Sequence, residues 1–320
     1  MTPAPAELLK NIEEDIRKSG FPLEVRVLNV CSTKNTGRMP NVKYEYLGEL
    51  REIDLLAFFE TQKLESKRTT LQHTWTDLII ECKKSSSKPW VFFSTPSYAF
   101  ENVAILLKYT SAFDSYFLRT GRPSLLAQIY PHIRASHYAD PSVPRCINYY
   151  EAFRGTSPSE IYRAIDSVIT CLSHRRETRE ARHEKFGVFS EFYLPIIVLD
   201  GYLFEASVGL SEIKVQERSH LQLRTFHRED IYIIDIVTVD RFQQFFDEIA
   251  GFHEELVSAI GTLRFPAQYR AAALAKVNEW VRTAEKMDAI VMAKADAKRR
   301  TRAVGKSPPR PGTEKNRTHF

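Results

Sequence analysis

The sequence predicts an α/β protein in which helices flank a mixed central sheet. Strand-like apolar runs alternate with helix-like segments along most of the 320 residues, so helices and strands interleave. Hydrophobic residues make up 43% of the chain and aromatic residues 12%, which is enough to form a substantial core. These observations predict a globular protein of one or two domains.

The opening segments supply a helix and then several strands. Apolar residues of segment 7–18 recur at helical spacing, at Leu8, Leu9, Ile12 and Ile16. Gly20 follows this segment and ends the predicted helix. Four β-rich runs then predict strands at 23–30, 42–47, 52–60 and 76–84.

The rest of the chain predicts further alternation of helices and strands. We expect a helix at 97–113, a strand at 146–153, a helix from Glu160 through the charge run 174–185, a hairpin about Asp200-Gly201, a strand at 230–239 and a helix after Asp240. The charge run is interpreted as the solvated face of its helix. Residues 266–298 are rich in alanine and free of proline after Pro266, which predicts a long helix.

Composition argues against a membrane protein and against a disulfide framework. No stretch approaches the ~20 apolar residues that a membrane helix needs, and the N-terminal segment lacks the features of a signal peptide. The four cysteines are scattered, with no CxxC pair, at Cys31, Cys82, Cys146 and Cys171. We therefore expect free thiols in a cytoplasmic protein.

The positive charge is concentrated at the C-terminal end. Residues 294–320 hold nine Lys or Arg against only Asp296 and Glu314, an excess larger than the formal +5 of the whole chain. The remainder of the protein is thus close to neutral. Residues 299–320 combine proline, glycine and charge, which predicts a disordered basic tail suited to binding phosphates.

The run TDLIIECKK, residues 76–84, is a buried strand by composition but ends in charged residues. Side chains alternate along a strand, so Glu81 and Lys83 share one face. Asp77 and Ile79 belong to that face as well, and the opposite face carries Leu78, Ile80 and Cys82.

A second carboxylate is expected beside this strand. If segment 52–60 pairs antiparallel with it so that Asp54 lies opposite Glu81, then Phe59 lies opposite Thr76 and the two strands match in length. Opposed residues are ~5 Å apart at Cβ. Two carboxylates that close repel each other unless a cation lies between them, and oxygen ligands suit Mg²⁺ or Mn²⁺.

An opening helix, strands that carry an Asp and then Glu-x-Lys, and a following helix resemble the PD-(D/E)XK superfamily of restriction-endonuclease-like nucleases. The resemblance implies an αβββαβ core at residues 1–155. It implies that Asp54, Glu81 and the backbone carbonyl of Cys82 bind Mg²⁺ or Mn²⁺, and that Lys83 orients or deprotonates the attacking water. Ile53 replaces the proline that often precedes the Asp.

In many members of this superfamily the first helix also contributes a glutamate to the metal. The equivalent spacing in this chain falls near Leu8 or Leu9, which leaves Glu7 or Glu13 as the candidates. Residues 156–265 would form an αβ extension packed on the core, followed by the long helix 266–298 and the tail 299–320.

The resemblance implies a nuclease that hydrolyses nucleic acid, with DNA as the expected substrate, in restriction, repair or phage defence. No sequence-recognition module is evident, and a homodimer is left open. The alternative is a non-catalytic binding or assembly protein that uses the same fold as a scaffold. Metal binding separates these two hypotheses.

Overall fold

We describe the fold from a computed structural model, which covers residues 5–64, 71–94, 142–153, 159–186, 189–209, 212–227 and 230–261. The helices are α1 (Ala6–Lys18), α2 (Phe21–Cys31), α3 (Glu160–Phe186) and α4 (Phe242–Gly261). The strands are β1 (Gly37–Tyr46), β2 (Glu49–Leu64), β3 (Leu71–Ser94), β4 (Arg145–Glu151), β5 (Phe189–Val208), β6 (Ile213–Glu217), β7 (His220–His227) and β8 (Asp230–Thr238). The predicted segments 97–113, 266–298 and 299–320 lie outside the described residues.

All eight described strands belong to one mixed sheet in the order β1-β2-β3-β4-β7-β8-β5-β6, with an additional β3–β5 pairing. β1, β2, β3 and β4 pair antiparallel in succession, whereas β3 pairs parallel with β5 and β5 pairs parallel with β8. Strands from both sides of residue 155 therefore form the same sheet. The predicted α/β architecture, a mixed sheet flanked by helices, is confirmed; the specific restriction-endonuclease-like topology stays a prediction.

Helices cover the sheet on both faces and create two cores. The α2–α4 core packs those two helices on one face and includes Leu78, Ile80 and Cys82 of β3. The α3 core lies on the opposite face and includes Ile79 of the same strand. The alternation predicted for this strand is thus confirmed, because each face of β3 contacts a different helix layer.

The predicted strand at 23–30 is wrong, since these residues lie in α2. Pro22 occupies the first turn, where its missing N–H leaves no hydrogen bond unmade. Leu23, Val27 and Cys31 recur every four residues and are the buried positions of this helix. Burial of that stripe against α4 and the sheet outweighs the β propensity of the valines, which is a weak preference.

The predicted hairpin at Asp200-Gly201 is also wrong, because β5 continues straight through it. Gly201 pairs with Ser85 of β3, and a Cβ at Gly201 would lie 2.4 Å from the Ser85 carbonyl oxygen. Glycine is needed there for close approach of two strands. A turn and a close approach favour the same residue for different reasons.

The opening helix α1 is confirmed, but its apolar stripe is not buried by the described residues. Leu8, Leu9, Ile12 and Ile16 are each about half exposed, between 46% and 51%. Lys84 of β3 donates a hydrogen bond to the Arg17 carbonyl and so fastens the C-terminal end of α1 to the sheet. Among the helices described, none has the length and apolar character to cross a membrane.

Candidate metal centre

The predicted register between β2 and β3 is present. Phe59 pairs with Thr76, and the antiparallel ladder continues to the pair Leu55–Ile80. Asp54 and Glu81 are the next residues on their strands. The Cys82 N–H donates a 2.7 Å hydrogen bond to Asp54 Oδ2, which ties the Asp54 carboxylate directly to the middle of β3. The strand does not end at residue 84 as predicted but continues to Ser94.

Asp54 lies where the regular pattern of β2 is interrupted. The β1–β2 pairing is regular at Ile53 and at Leu55, but Asn41 of β1, between their partners, has a φ of 50°. Ile53 packs in the α3 core and Leu55 in the α2–α4 core, although alternation would place residues two apart on the same face. The side chains of β2 change faces at Asp54. The Asp54 carboxylate accepts a hydrogen bond from the neighbouring strand and belongs to neither core.

Glu81 is a buried carboxylate with two partners. It is 6% exposed, its Oε1 contacts the Lys83 ammonium, and its Oε2 accepts a 2.8 Å hydrogen bond from Ser167 Oγ on α3. Lys83 retains more contact with solvent, with 27% of its side chain exposed. The face predicted for Glu81 and Lys83 is therefore the face that α3 covers.

The two carboxyl groups are poorly solvated, and their pKa values reflect this. Burial raises the pKa of Asp54, and the Cys82 N–H and Lys83 offset part of that shift. Burial also raises the pKa of Glu81, which Lys83 lowers and Asp54 raises further. Burial lowers the pKa of Lys83, but the Glu81 and Asp54 carboxylates outweigh it, so the net shift is upward and Lys83 remains a cation.

A third carboxylate, Glu24 of α2, interacts electrostatically with the site. Burial raises the pKa of Glu24, and the charges of Asp54 and Glu52 raise it further while Lys83 lowers it. Glu24 therefore lies within electrostatic range of both the carboxylate and the lysine. Sequence reasoning missed it because segment 23–30 was predicted as a strand; Pro22 followed by Leu23, Val27 and Cys31 at helical spacing was the available signal.

Glu7 and Glu13 were the alternative candidates for a ligand from the first helix. Glu7 and Glu13 lie on the exposed surface of α1, and Glu13 is 3.8 Å from Arg17 in an ion pair within that helix. Among the residues that the structure describes, no three His, Cys, Asp or Glu side chains are grouped so that they could hold a metal ion by themselves. An ion at Asp54 and Glu81 would need backbone and water ligands as well.

The donor chemistry of the site fits a hard divalent cation. Magnesium is commonly bound by one or two carboxylates and keeps several waters, which carboxylates on two adjacent strands permit. The two partners of Glu81 occupy two of the roughly four lone-pair directions of a carboxylate, leaving capacity for an ion. The Cys82 thiol cannot take part, because it lies in the α2–α4 core and burial raises its pKa well above its ordinary value.

We expect Asp54→Asn to stabilise the metal-free protein near pH 7. Because the folded-state pKa of Asp54 is raised, the folded protein holds that proton more tightly than the unfolded chain, and stability is lost as the pH rises through the folded pKa. Asparagine carries no charge and keeps an oxygen that can accept the Cys82 N–H. The gain over the parent should shrink as the pH falls toward about 4, the ordinary pKa of aspartate.

Thermal unfolding with EDTA, from pH 7 down to pH 4, measures this effect. Glu45→Gln, an exposed carboxylate change on β1, is the matched control and should leave the melting temperature nearly unchanged. A gain for Asp54→Asn that is the same at every pH would show that charge burial is not its cause.

Comparisons with protein-family models, with curated proteins and with solved structures found no match to this chain. The fold and the residues of the site are therefore the basis for inferring a function. Together they define an α/β protein with a candidate divalent-metal centre between two neighbouring strands.

Proposed function

We propose that this protein is a metal-dependent nuclease that hydrolyses phosphodiester bonds of nucleic acid, with DNA as the expected substrate. The observation that carries the proposal is the hydrogen bond that joins Asp54 to the middle of β3, where Glu81 and Lys83 contact each other. Two carboxylates beside one ammonium, arranged on adjacent strands, form the combination that the sequence resemblance attributes to a phosphodiesterase site.

The carboxylates and the lysine would have separate tasks. Asp54, Glu81 and the Cys82 carbonyl would hold Mg²⁺ or Mn²⁺, and Glu24 is near enough to add negative charge. The ion, when bound, supplies Lewis-acid chemistry toward a phosphate and its attacking water. Because the pKa of Lys83 is raised, this residue would orient the water and offset negative charge on the phosphate as a cation, in preference to removing a proton.

A polyanionic substrate is also consistent with a groove between α1 and β3. An open groove of about 480 Å³ is lined by Glu14, Arg17, Lys18 and Lys84. Three of these four side chains are cationic, and Lys84 directly follows Lys83 in β3. Such cations attract a phosphate backbone without regard to base sequence. The basic residues of 299–320, outside the described residues, would add non-specific affinity of the same kind.

A cleavage assay tests the proposal. We expect the purified protein to cut DNA with Mg²⁺ or Mn²⁺ and to leave it intact with EDTA, because both carboxylates need the ion to bind and polarise a phosphate. Plasmid DNA, single-stranded DNA and RNA should be compared at equal nucleotide concentration. If the protein cuts none of the three substrates with either ion, and neither ion raises its melting temperature, a non-catalytic scaffold is favoured instead.

A further inference from the structure

The helix α3 reaches the candidate metal centre through one hydroxyl group. Ser167 Oγ donates to Glu81 Oε2 at 2.8 Å across 86 residues of sequence. The other partner of Glu81 is Lys83, two residues away on the same strand. Ser167 is thus a link between the Glu81 carboxylate and the opposite layer of the protein.

The segment of α3 around Ser167 is held firmly against the strands that carry the site. Asp166 Oδ2 accepts a 2.6 Å hydrogen bond from Arg51, three residues before Asp54 on β2. Arg51 also lies 3.4 Å from the Thr170 hydroxyl. The Tyr44 hydroxyl on β1 is 3.4 Å from the Ser167 carbonyl oxygen. The helix is therefore connected to β1, β2 and β3 within one and a half turns.

We propose that Ser167 is a positioning residue that holds the Glu81 carboxylate in the orientation that binds the divalent ion. This inference rests on the proposed function. A hydroxyl is suited to the task because it fixes Oε2 by a hydrogen bond without neutralising the negative charge that attracts the ion. Lys83 contacts the same carboxylate but brings a positive charge, which opposes cation binding.

Loss of the hydroxyl should therefore act on metal affinity more than on folding. Alanine is the better helix former, so Ser167→Ala keeps α3 intact, whereas the Glu81 side chain loses its restraint from the helix. Removal of a group that orients a metal ligand commonly weakens metal affinity by about 10- to 100-fold. We expect at least about a 10-fold weaker apparent affinity for Mn²⁺ in this variant.

The experiment titrates Mn²⁺ into the full-length protein without nucleic acid and follows the rise in melting temperature. Ser167→Thr keeps a hydroxyl at the same place and should restore affinity to near the parent value. Ser173→Ala is the matched control, because this serine lies on the same helix and its hydroxyl contacts the Tyr232 hydroxyl, at 3.3 Å, in place of Glu81. It should titrate like the parent.

The outcomes separate this inference from the proposed function. If the parent binds Mn²⁺ and Ser167→Ala binds it equally well, the positioning role is overturned while the metal centre stands. If Ser173→Ala weakens binding as much as Ser167→Ala, or Ser167→Thr fails to restore it, the effect is a general one of α3 and the specific role is again overturned. If the parent itself gains no stability from Mn²⁺, both the metal centre and the role of Ser167 are rejected.

Discussion

Asp54→Asn, Glu81→Gln and Lys83→Ala, made separately, should each reduce Mg²⁺-dependent cleavage of DNA by about two to three orders of magnitude. The first two variants remove negative charge from the candidate metal centre, and the third removes the cation that would serve the water and the phosphate. All three should fold. Each change leaves the strand backbone intact and removes at most one contact of a neighbouring site residue.

Metal-induced stabilisation should distinguish these variants. At a free metal concentration about 100 times the dissociation constant, the parent should gain about 2.7 kcal/mol. Asp54→Asn and Glu81→Gln should gain almost nothing, because each replaces an anionic ligand with a neutral amide, which binds a divalent cation much more weakly. Lys83→Ala should keep the full gain or exceed it, because its ammonium contacts Glu81 and competes with the ion. Melting curves with and without Mn²⁺ measure all three.

Two substitutions at exposed positions control for the loss of a charge as such and for differences between protein preparations. Glu45→Gln on β1 removes a carboxylate and Lys214→Ala on β6 removes an ammonium, both at exposed positions away from the contacts described for the site. Both should cleave like the parent. Retention of full cleavage by Glu81→Gln, or full metal-induced stabilisation of both carboxylate variants, would contradict the proposed site.

Arg175→Met should destabilise the protein by about 3–5 kcal/mol. Arg175 of α3 donates a 2.5 Å hydrogen bond to Asp77 of β3, and the two side chains are only 15% and 3% exposed. The methionine side chain has similar bulk but cannot supply the charge, so the Asp77 carboxylate remains buried without its guanidinium. The guanidinium also anchors α3 to the strand that carries Glu81.

Urea unfolding of three variants tests this expectation. Arg163→Met, an exposed arginine on the same helix, should change the free energy of unfolding by no more than about 0.5 kcal/mol. The double variant Arg175→Met with Asp77→Leu should recover most of the lost stability, because it removes the buried charge as well. A loss for Arg175→Met no larger than that for Arg163→Met would show that the ion pair contributes little.

The sequence alone predicted which side of β3 each residue occupies. Side chains alternate with a period of two in any strand. It therefore followed from local geometry that Glu81 and Lys83 lie on one face of β3 and that Ile80 and Cys82 lie on the other. The pairing of Phe59 with Thr76 was also predictable, because matching strand lengths restrict the register. The helix through the charge run 174–185 was predicted as well, although only 15% of the Arg175 side chain within it is exposed.

Tertiary structure decided which distant groups complete the site. Segment 23–30 has a β-rich composition with a weak helical signal, and packing of Leu23, Val27 and Cys31 makes it the helix from which Glu24 interacts electrostatically with Asp54. Ser167 and Arg175 reach β3 across 86 and 98 residues. Local propensities amount to a few tenths of a kcal/mol per residue, whereas burial of a whole helix face contributes several, so packing determines these contacts and periodicity cannot reveal them.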